Sequence, residues 1–181
     1  MIGLSNKKVK LVGYSEDWAG LYQTEADNLK RLLKDNVVSI QHVGSTSIPN
    51  MMFAKPIIDI AVGIETIEQL GKVKEILLAN DYYYNENAGD TDRWFFAKGK
   101  AENRMFNIHV ELIEGVSWNN HINFKNFMIK HPEYVSKYCD VKKELASRYR
   151  DDRLKYTEGK AEFIQSVLKM EDRDKEIEVK L

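Results

Sequence analysis

The sequence predicts an α+β fold, with strands and helices mixed in the front half and a helical last third. Two strands support this prediction most directly. Residues 57–64 (IIDIAVGI) are apolar apart from one acid, as in a strand buried on both faces, and residues 104–112 (RMFNIHVEL) alternate apolar and polar side chains. Apolar residues recur at helical spacing in the last third. We therefore predict a single domain over residues 1–170 and a charged tail over 171–181.

The elements of the front half follow from periodicity and from residues that start or stop helices. The predicted elements are a strand over 9–13, a helix over 16–34, a strand over 37–43, a strand over 57–64 and a helix over 67–79. Ser15 and Thr66 are the expected N-caps of the two helices, and Pro56 stands at the edge of the strand that follows it.

The second half begins with a predicted β-hairpin and continues as helices. The hairpin pairs residues 93–98 with 104–112 across the turn GKAEN, and the helices are predicted over 119–131, 133–150 and 157–170. Thr157 is the expected N-cap of the last helix. The tail that follows is charged throughout, and we expect it to be solvated or frayed.

The composition limits the functional classes. The chain has 181 residues, of which 43% are hydrophobic and 30% are charged, as in a globular protein. A net charge of −1 argues against broad nucleic-acid binding, and the single cysteine, Cys139, excludes an internal disulfide and a cysteine-based zinc site. The N-terminal residues contain no apolar segment typical of a signal peptide, and no stretch approaches the roughly 18 apolar residues of a membrane span. We expect a cytoplasmic protein without a membrane partner.

The polar face of strand 104–112 presents Asn107, His109 and Glu111 in a row, because side chains two residues apart share a face. This face is either the solvent side of the sheet or one wall of a site. If strand 57–64 lies beside it, Asp59 and Glu111 could converge. Two adjacent carboxylates repel unless a cation such as Mg²⁺ or Mn²⁺ joins them.

A salt bridge is the alternative explanation for Asp59. Lys55 and Arg93 are the candidate partners, and either would compensate a buried carboxylate without a metal.

The turn GSTS suggests a phosphate site. Gly44 permits close backbone approach, and Ser45 and Thr46 offer hydroxyl and amide groups, although a plain turn would have the same sequence. The Gly-Lys-Ser/Thr ending of a Walker A loop is absent. Lys160 is predicted in the first turn of the last helix, where a cation opposes the helix dipole unless an anion binds there. The alternative is a solvated lysine.

A further hypothesis is a metal-dependent hydrolase that uses the histidines. His42 and His109 each precede a candidate site residue by two positions, so His42, His109 and Glu111 could hold the metal of a hydrolase.

Several segments, in order, resemble the GrpB family, which is placed among the DNA-polymerase-β-like nucleotidyltransferases. They include VGYSEDWAGLYQTEADNLKRLL, QHVGSTSIPNMMFAKPIIDIAV, DRWFFAK, NIHVEL, HINFKNFMIKHPEYVSKY and DDRLKYTEGKAEFI. The resemblance implies a mixed sheet flanked by helices and a nucleotide or phosphorylated small molecule as ligand. It also implies metal-assisted nucleotidyl transfer to a small or polar acceptor, with Gly44 and Ser45 on phosphate and Asp59 and Glu111 on Mg²⁺ or Mn²⁺.

The chain departs from this pattern at one position. The usual motif has Asp-x-Asp or Asp-x-Glu, whereas Ala61 stands at the second acidic position here. Only Asp59 and Glu111 remain, with His109 as a substitute ligand. The prediction therefore keeps two outcomes open, a transferase with fewer metal ligands and a non-catalytic module that binds a nucleotide or phospholigand.

Overall fold

The structure, a computed structural model, describes residues 2–5 and 8–178, with side chains described as far as residue 173. The strands are β1 Val12–Gly13, β2 Ser39–Val43, β3 Phe53–Ala54, β4 Ile58–Ile64, β5 Tyr82–Tyr84, β6 Arg93–Lys100 and β7 Asn103–Leu112. The α-helices are α1 Asp17–Leu33, α2 Gln69–Leu78, α3 Val116–Lys130, α4 Pro132–Arg148, α5 Arg153–Gly159 and α6 Ala161–Glu178. The predicted α+β fold with a helical last third is confirmed.

The main sheet has five strands in the order β2-β4-β7-β6-β5. Strands β4 and β7 are parallel, and every other neighbouring pair in this sheet is antiparallel, so the sheet is mixed as the resemblance implied. The predicted hairpin is the β6–β7 pair. Strand β4 lies inside the sheet and all its residues except Asp59 are buried, which explains its apolar sequence. A separate two-stranded sheet pairs β1 with β3.

The two faces of the main sheet differ in chemistry. On one face, which we call the apolar face, Ile58, Ile60, Val62, Phe106, Ile108 and Val110 join the main core. Helices α1 and α2 cover it through Leu29, Leu33, Val73 and Leu77. The other face, which we call the polar face, carries Asp59, Ala61, Asn107, His109 and Glu111, because residues paired across two strands point the same way.

Helix α3 crosses the polar face and is held there at its start. The Asp92 carboxylate accepts hydrogen bonds from the backbone amide and the hydroxyl of Ser117, at 2.9 and 2.6 Å. At the next residue, the Trp118 ring packs against Gly63, where a Cβ atom would stand 3.0 Å from the ring. The absence of a side chain at Gly63 therefore allows α3 to approach the sheet closely.

Several predicted boundaries and caps are corrected by the structure. The strand predicted over 9–13 shortens to Val12–Gly13, and the predicted elements did not include β5. Ser15 donates its hydroxyl to the Asp17 side chain instead of capping α1. Near α2, the Gln69 side chain accepts from the backbone amides of residues 65 and 66, so Thr66 is not the side-chain cap.

The predicted last helix is two helices. Thr157 lies inside α5, whose N-cap is Asp152, with its carboxylate accepting from the Lys155 amide. Lys160 stands between α5 and α6. Helix α6 continues past residue 170 and Glu171 is buried, so the tail is not solvated from its first residue. The side chains from residue 174 onward lie outside the described residues.

Candidate functional site

Asp59 lies at the junction of three polar-face elements. It pairs with Val43 at the end of β2 and with Asn107 on β7. Its Oδ1 accepts a 2.7 Å hydrogen bond from the Asn107 side-chain amide and lies 3.4 Å from Nε2 of His109. The side chain is 27% exposed, so solvent and small ligands can reach the carboxylate.

Neighbouring groups keep Asp59 ionised. Burial by itself would raise the pKa of this carboxyl. The hydrogen bond and charge of His109, the Asn107 amide and the nearby Lys55 outweigh that effect and hold the pKa of Asp59 below its usual range. The side chain is therefore a carboxylate at neutral pH.

The Gly44 turn closes over this carboxylate. Gly44 has φ of 69°, a conformation that favours glycine, and a Cβ atom there would lie 2.6 Å from Asp59 Oδ2. The Ser47 hydroxyl and amide bond back to the Gly44 carbonyl at 2.7 and 3.2 Å, closing a 3₁₀ turn over Ser45–Ser47. Both the backbone angle and the contact with Asp59 thus explain why glycine occupies this position.

His42 and Thr46 belong to the interior. The Thr46 hydroxyl is buried 3.0 Å from His42 Nε2, and the His42 ring stacks on Tyr22 with ring centroids 4.6 Å apart. His42 pairs with Ile60, so it points to the apolar face, away from His109. The expected His42, His109 and Glu111 metal set is therefore corrected, and the Thr46 hydroxyl is already engaged by His42.

Ser45 remains beside the site. Its hydroxyl hydrogen-bonds the Tyr138 side chain of α4, whose pKa is raised mainly by burial.

Four cationic side chains surround Asp59. Lys55 and Lys160 place their Nζ atoms 5.1 and 4.9 Å from the centre of the Tyr156 ring. Arg153 interacts electrostatically with Arg104 and with both lysines, and Arg104 also interacts with Lys55. We call Lys55, Lys160, Arg153 and Arg104 the cationic cluster.

The cationic cluster is crowded and incompletely hydrogen-bonded. Burial, followed by Lys160 and Arg153, lowers the pKa of Lys55 strongly, and burial lowers the pKa of Lys160 to about 8. Arg104 donates from Nη1 to the side-chain oxygen of Asn107 at 3.3 Å, but its Nε, like Nη1 of Arg153, is buried with no hydrogen-bond partner among the described residues. Charged donors of this kind are suited to an anion.

The salt bridges considered for Asp59 do not form. Lys55 acts on Asp59 only through longer-range attraction, and the ion pair within 4.0 Å that the described residues give Asp59 is with His109. Arg93 pairs with Glu111 in the β6–β7 register, four residues along from the partner of Asp59.

Glu111 is separated from Asp59. Both lie on the polar face, but Glu111 pairs with Gly63, so four residues of strand, about 13 Å, lie between their positions. The expected single cation joining both carboxylates is corrected by this register. Glu111 instead lies next to His121 of α3, with Oε1 2.8 Å from Nδ1.

Ala61 lies in an apolar cluster between these two acids. It packs with Val43 and Trp118, and Ile113 and Ile122 contact the same cluster. The second acidic position of the usual motif therefore lies under α3, and its polar strand neighbour on β7 is His109.

The sequence predictions missed three residues of this region. His121 occupies the helical stripe of Trp118 and Ile122, so a histidine in an apolar stripe was the available signal. Arg153 and Tyr156 stand seven and four residues before Lys160, a helical spacing that was concealed by the predicted start at residue 157.

Comparison with known proteins identifies the family. The GrpB protein family model matches residues 8–170. The chain belongs to the GrpB family. It is 34% identical to the glutamate-rich protein GrpB of Alkalihalophilus pseudofirmus over 172 residues, which cover 93% of this chain and 98% of that protein. It is also 33% identical to the UPF0157 protein YqkA of Bacillus subtilis over 88% of this chain, but spans only 46% of YqkA.

Solved structures confirm the GrpB fold and show that Cid1 shares part of it. The conserved protein GrpB from Enterococcus faecalis superposes with a TM-score of 0.82 at 30% identity, over 91% of this chain and 98% of that one. Cid1 in complex with its short product ApU superposes with a TM-score of 0.51 at 13% identity, over 75% of this chain and 43% of Cid1. The second likeness establishes a shared fold alone. Within residues 2–5 and 8–178 of this GrpB chain, no helix is long and apolar enough to cross a bilayer.

Proposed function

We propose that this GrpB protein binds a nucleotide or another phosphorylated small molecule above Asp59, with the phosphates between the Gly44 turn and the cationic cluster. The observation that carries the proposal is the charge balance of the site. Four basic side chains, Lys55, Lys160, Arg153 and Arg104, are gathered beside one carboxylate, Asp59, and an anion would favour the charged forms of the two lysines, whose pKa values burial lowers. A phosphate chain supplies the missing negative charge and accepts hydrogen bonds from the unpartnered arginine nitrogens.

The residues present fit one divalent cation at the phosphate site. Asn107 and His109 engage Oδ1 of Asp59, whereas Oδ2 has no hydrogen-bond donor among the described residues and is the atom available to Mg²⁺ or Mn²⁺. The remaining acids do not fit a second ion there, because Ala61 is apolar and Glu111 lies about 13 Å further along the strands. A bound cation would neutralise phosphate charge.

Nucleotidyl transfer is the second candidate function. Two observations favour it: Asp59 is ionised, and the chain shares part of its fold with Cid1. Because the second acidic position is Ala61, we expect pyrophosphate release with the four nucleoside triphosphates to be slow or absent under Mg²⁺, and faster under Mn²⁺. Rapid Mg²⁺-dependent release that survives His109→Ala would contradict this expectation.

Calorimetric titration tests the binding proposal. ATP, GTP, CTP, UTP and inorganic triphosphate are titrated into the protein with and without Mn²⁺, at two salt concentrations. We expect at least one of them to bind, with an affinity that falls as salt rises. Lys160→Met and Arg153→Met should each weaken binding by about tenfold, the loss of one charge-assisted contact. Lys72→Met is the matched control, because Lys72 is exposed and pairs with Glu75 on α2.

Asp59→Asn separates anion binding from metal binding. Without a divalent cation, we expect this variant to bind triphosphate more tightly than the native protein, because a repelling charge is gone. With Mn²⁺, the metal-dependent gain in affinity should disappear. The proposal is wrong if no probe binds, or if Lys160→Met and Arg153→Met both keep full affinity.

A further inference from the structure

Glu111 is a buried carboxylate whose oxygens lack donors. Its side chain is 0% exposed, and neither Oε1 nor Oε2 has a hydrogen-bond partner among the described residues. The nearest cationic candidate is His121, whose Nδ1 lies 2.8 Å from Oε1, but the orientation of the two groups is not that of a hydrogen bond. A carboxylate in such surroundings is costly unless a cation compensates it.

His109 directs an unpartnered nitrogen into the same region. Its Nε2 lies 3.4 Å from Asp59 Oδ1, and its Nδ1 is buried without a partner. In the tautomer that donates from Nε2 to Asp59, Nδ1 carries a free lone pair. When one nitrogen of a histidine ring binds a metal, the other nitrogen usually donates a hydrogen bond to a carboxylate or a similar acceptor, as Nε2 of His109 can to Asp59.

We propose that His109, Glu111 and His121 form a site for one first-row transition-metal dication, of which Zn²⁺ is the representative. One ligand-capable atom from each residue lies within 4.8 Å of the others. Ligands at the usual zinc distances stand about 3.4 Å apart in a tetrahedron, so binding requires the ligand atoms to approach by up to about 1.4 Å. His121 supplies the route of entry, because its side chain is 28% exposed at the surface of α3.

The ligand types select the metal. Two imidazoles and one carboxylate suit Zn²⁺, Fe²⁺ or Mn²⁺ and leave at least one coordination position for water or another ligand. Mg²⁺ prefers oxygen ligands and is a poor match. This site is separate from the phosphate site, and the two share only the contact between His109 and Asp59.

A simple ion pair between Glu111 and His121 explains less of the structure. It would satisfy one oxygen of Glu111 and leave Oε2, as well as Nδ1 of His109, buried without a partner. A metal ion engages all three residues, which come from two elements, β7 and α3.

The test is metal titration of chelator-treated protein that carries no polyhistidine tag. Zn²⁺ binding is measured by calorimetry, and Co²⁺ is used as a spectroscopic probe because visible d–d bands report its coordination. We expect one ion per chain and a raised melting temperature with Zn²⁺ but not with Mg²⁺. His121→Ala and Glu111→Gln should each weaken Zn²⁺ binding at least about tenfold and remove the Co²⁺ bands.

Two control variants separate this site from other effects. His131→Ala removes a histidine of similar exposure, 32%, that also lies near a carboxylate, and should leave binding unchanged. Lys160→Met should leave Zn²⁺ binding unchanged, and His121→Ala should leave triphosphate binding unchanged, so either proposal can fail alone. The metal site is refuted if native protein binds no Zn²⁺, or if His121→Ala and Glu111→Gln bind it like the native chain.

Discussion

Two buried glutamates lie on opposite faces of the sheet and differ in what surrounds them. Glu25 of α1 packs on the apolar face, where Lys98 donates to both of its oxygens at 2.9 Å and the Tyr82 hydroxyl donates to one of them. Glu111 on the polar face has no donor in hydrogen-bonding geometry among the described residues. The acid on the apolar face is satisfied within the fold, whereas the acid on the polar face is not.

We propose that the difference separates a structural acid, Glu25, from a functional one, Glu111. Glu25 connects α1 to β5 and β6 through Tyr82 and Lys98, so its charge is part of the packing of the apolar face. Natural folds satisfy most buried polar groups, and the exceptions deserve a chemical explanation. The exceptions here include Glu111 Oε1 and Oε2, His109 Nδ1, Arg104 Nε and Arg153 Nη1, which lie on or beside the polar face.

The largest expected change in stability comes from removing the Glu25 carboxylate, whose oxygens are hydrogen-bonded. Glu25→Ala leaves Lys98 and Tyr82 without their acceptor, and we expect the free energy of unfolding to fall by about 3 kcal/mol, as for a buried ion pair that loses one partner. Denaturant unfolding measures the loss. The double variant Glu25→Ala, Lys98→Met should recover part of it, because the uncompensated cation is removed as well. Equal losses in the single and double variants would contradict the role given to Lys98.

His42 makes the apolar face sensitive to acid. Burial, and then the charge of Lys125, lowers the pKa of His42 to about 4. Between pH 6.5 and 4 the unfolded chain binds a proton that the native state does not, so the free energy of unfolding should fall by about 3 kcal/mol over that range. His42→Gln should show a flatter dependence in denaturant titrations at several pH values. If the native protein and His42→Gln lost stability in parallel as the pH falls, the pKa of His42 would not be lowered in the native state.

Lys142 is a buried basic residue whose contacts among the described residues are with neutral groups, so its surroundings are intermediate between those of the two glutamates. It contacts the Phe53 carbonyl, Met51 and the Tyr138 ring, and burial lowers its pKa to about 8. Below pH 8 the native state holds a charged amine at a cost, which is relieved as the pH rises from 8 toward 10.4.

Lys142→Met removes that cost but also the hydrogen bond to the Phe53 carbonyl. At pH 7 we expect a gain of about 1 kcal/mol in stability that shrinks above pH 8. Thermal melts at pH 7 and pH 9.5 measure both the sign and the trend, and a destabilised variant at pH 7 would show that Lys142 is fully compensated.

The smallest effect is expected from Glu111. In chelator-treated protein, Glu111→Gln removes a charge without hydrogen-bond donors, so stability should stay within about 1 kcal/mol of native or rise. The comparison with Glu25→Ala in the same denaturant series checks this. A loss as large as that of Glu25→Ala would mean that the ion pair with His121 is structural and would remove the contrast between the two faces.

The sequence alone predicted which side chains share a face of the main sheet better than it predicted the register between β4 and β7. Side chains alternate along a strand, so the pattern of residues 104–112 is enough to place Asn107, His109 and Glu111 on one face, where Asp59 joins them from β4. The four-residue offset between Asp59 and Glu111 depends on how β4 and β7 slide against each other. That pairing joins distant segments and leaves no mark in the local pattern.

The candidate-site residues that lie on helices or between them were predicted less well than those on strands. Lys160 was selected for an unfavourable position in one long helix, yet it stands at a break between α5 and α6. Arg153 and His121 were missed, because the periodicity of a helix indicates which residues share a stripe but not which sheet face that stripe covers.

The parallel pairing of β4 with β7 affects the order in which the chain can assemble. The β6–β7 hairpin joins residues that are close in sequence and can form early, whereas the contact between Asp59 and Asn107 closes a span of 48 residues. Lys160 arrives later still, since it follows α5. A chain emerging from the ribosome therefore acquires the β6–β7 hairpin well before Lys160 can reach the side of Asp59. Any phospholigand held there would bind the finished fold and draw the folding equilibrium toward it.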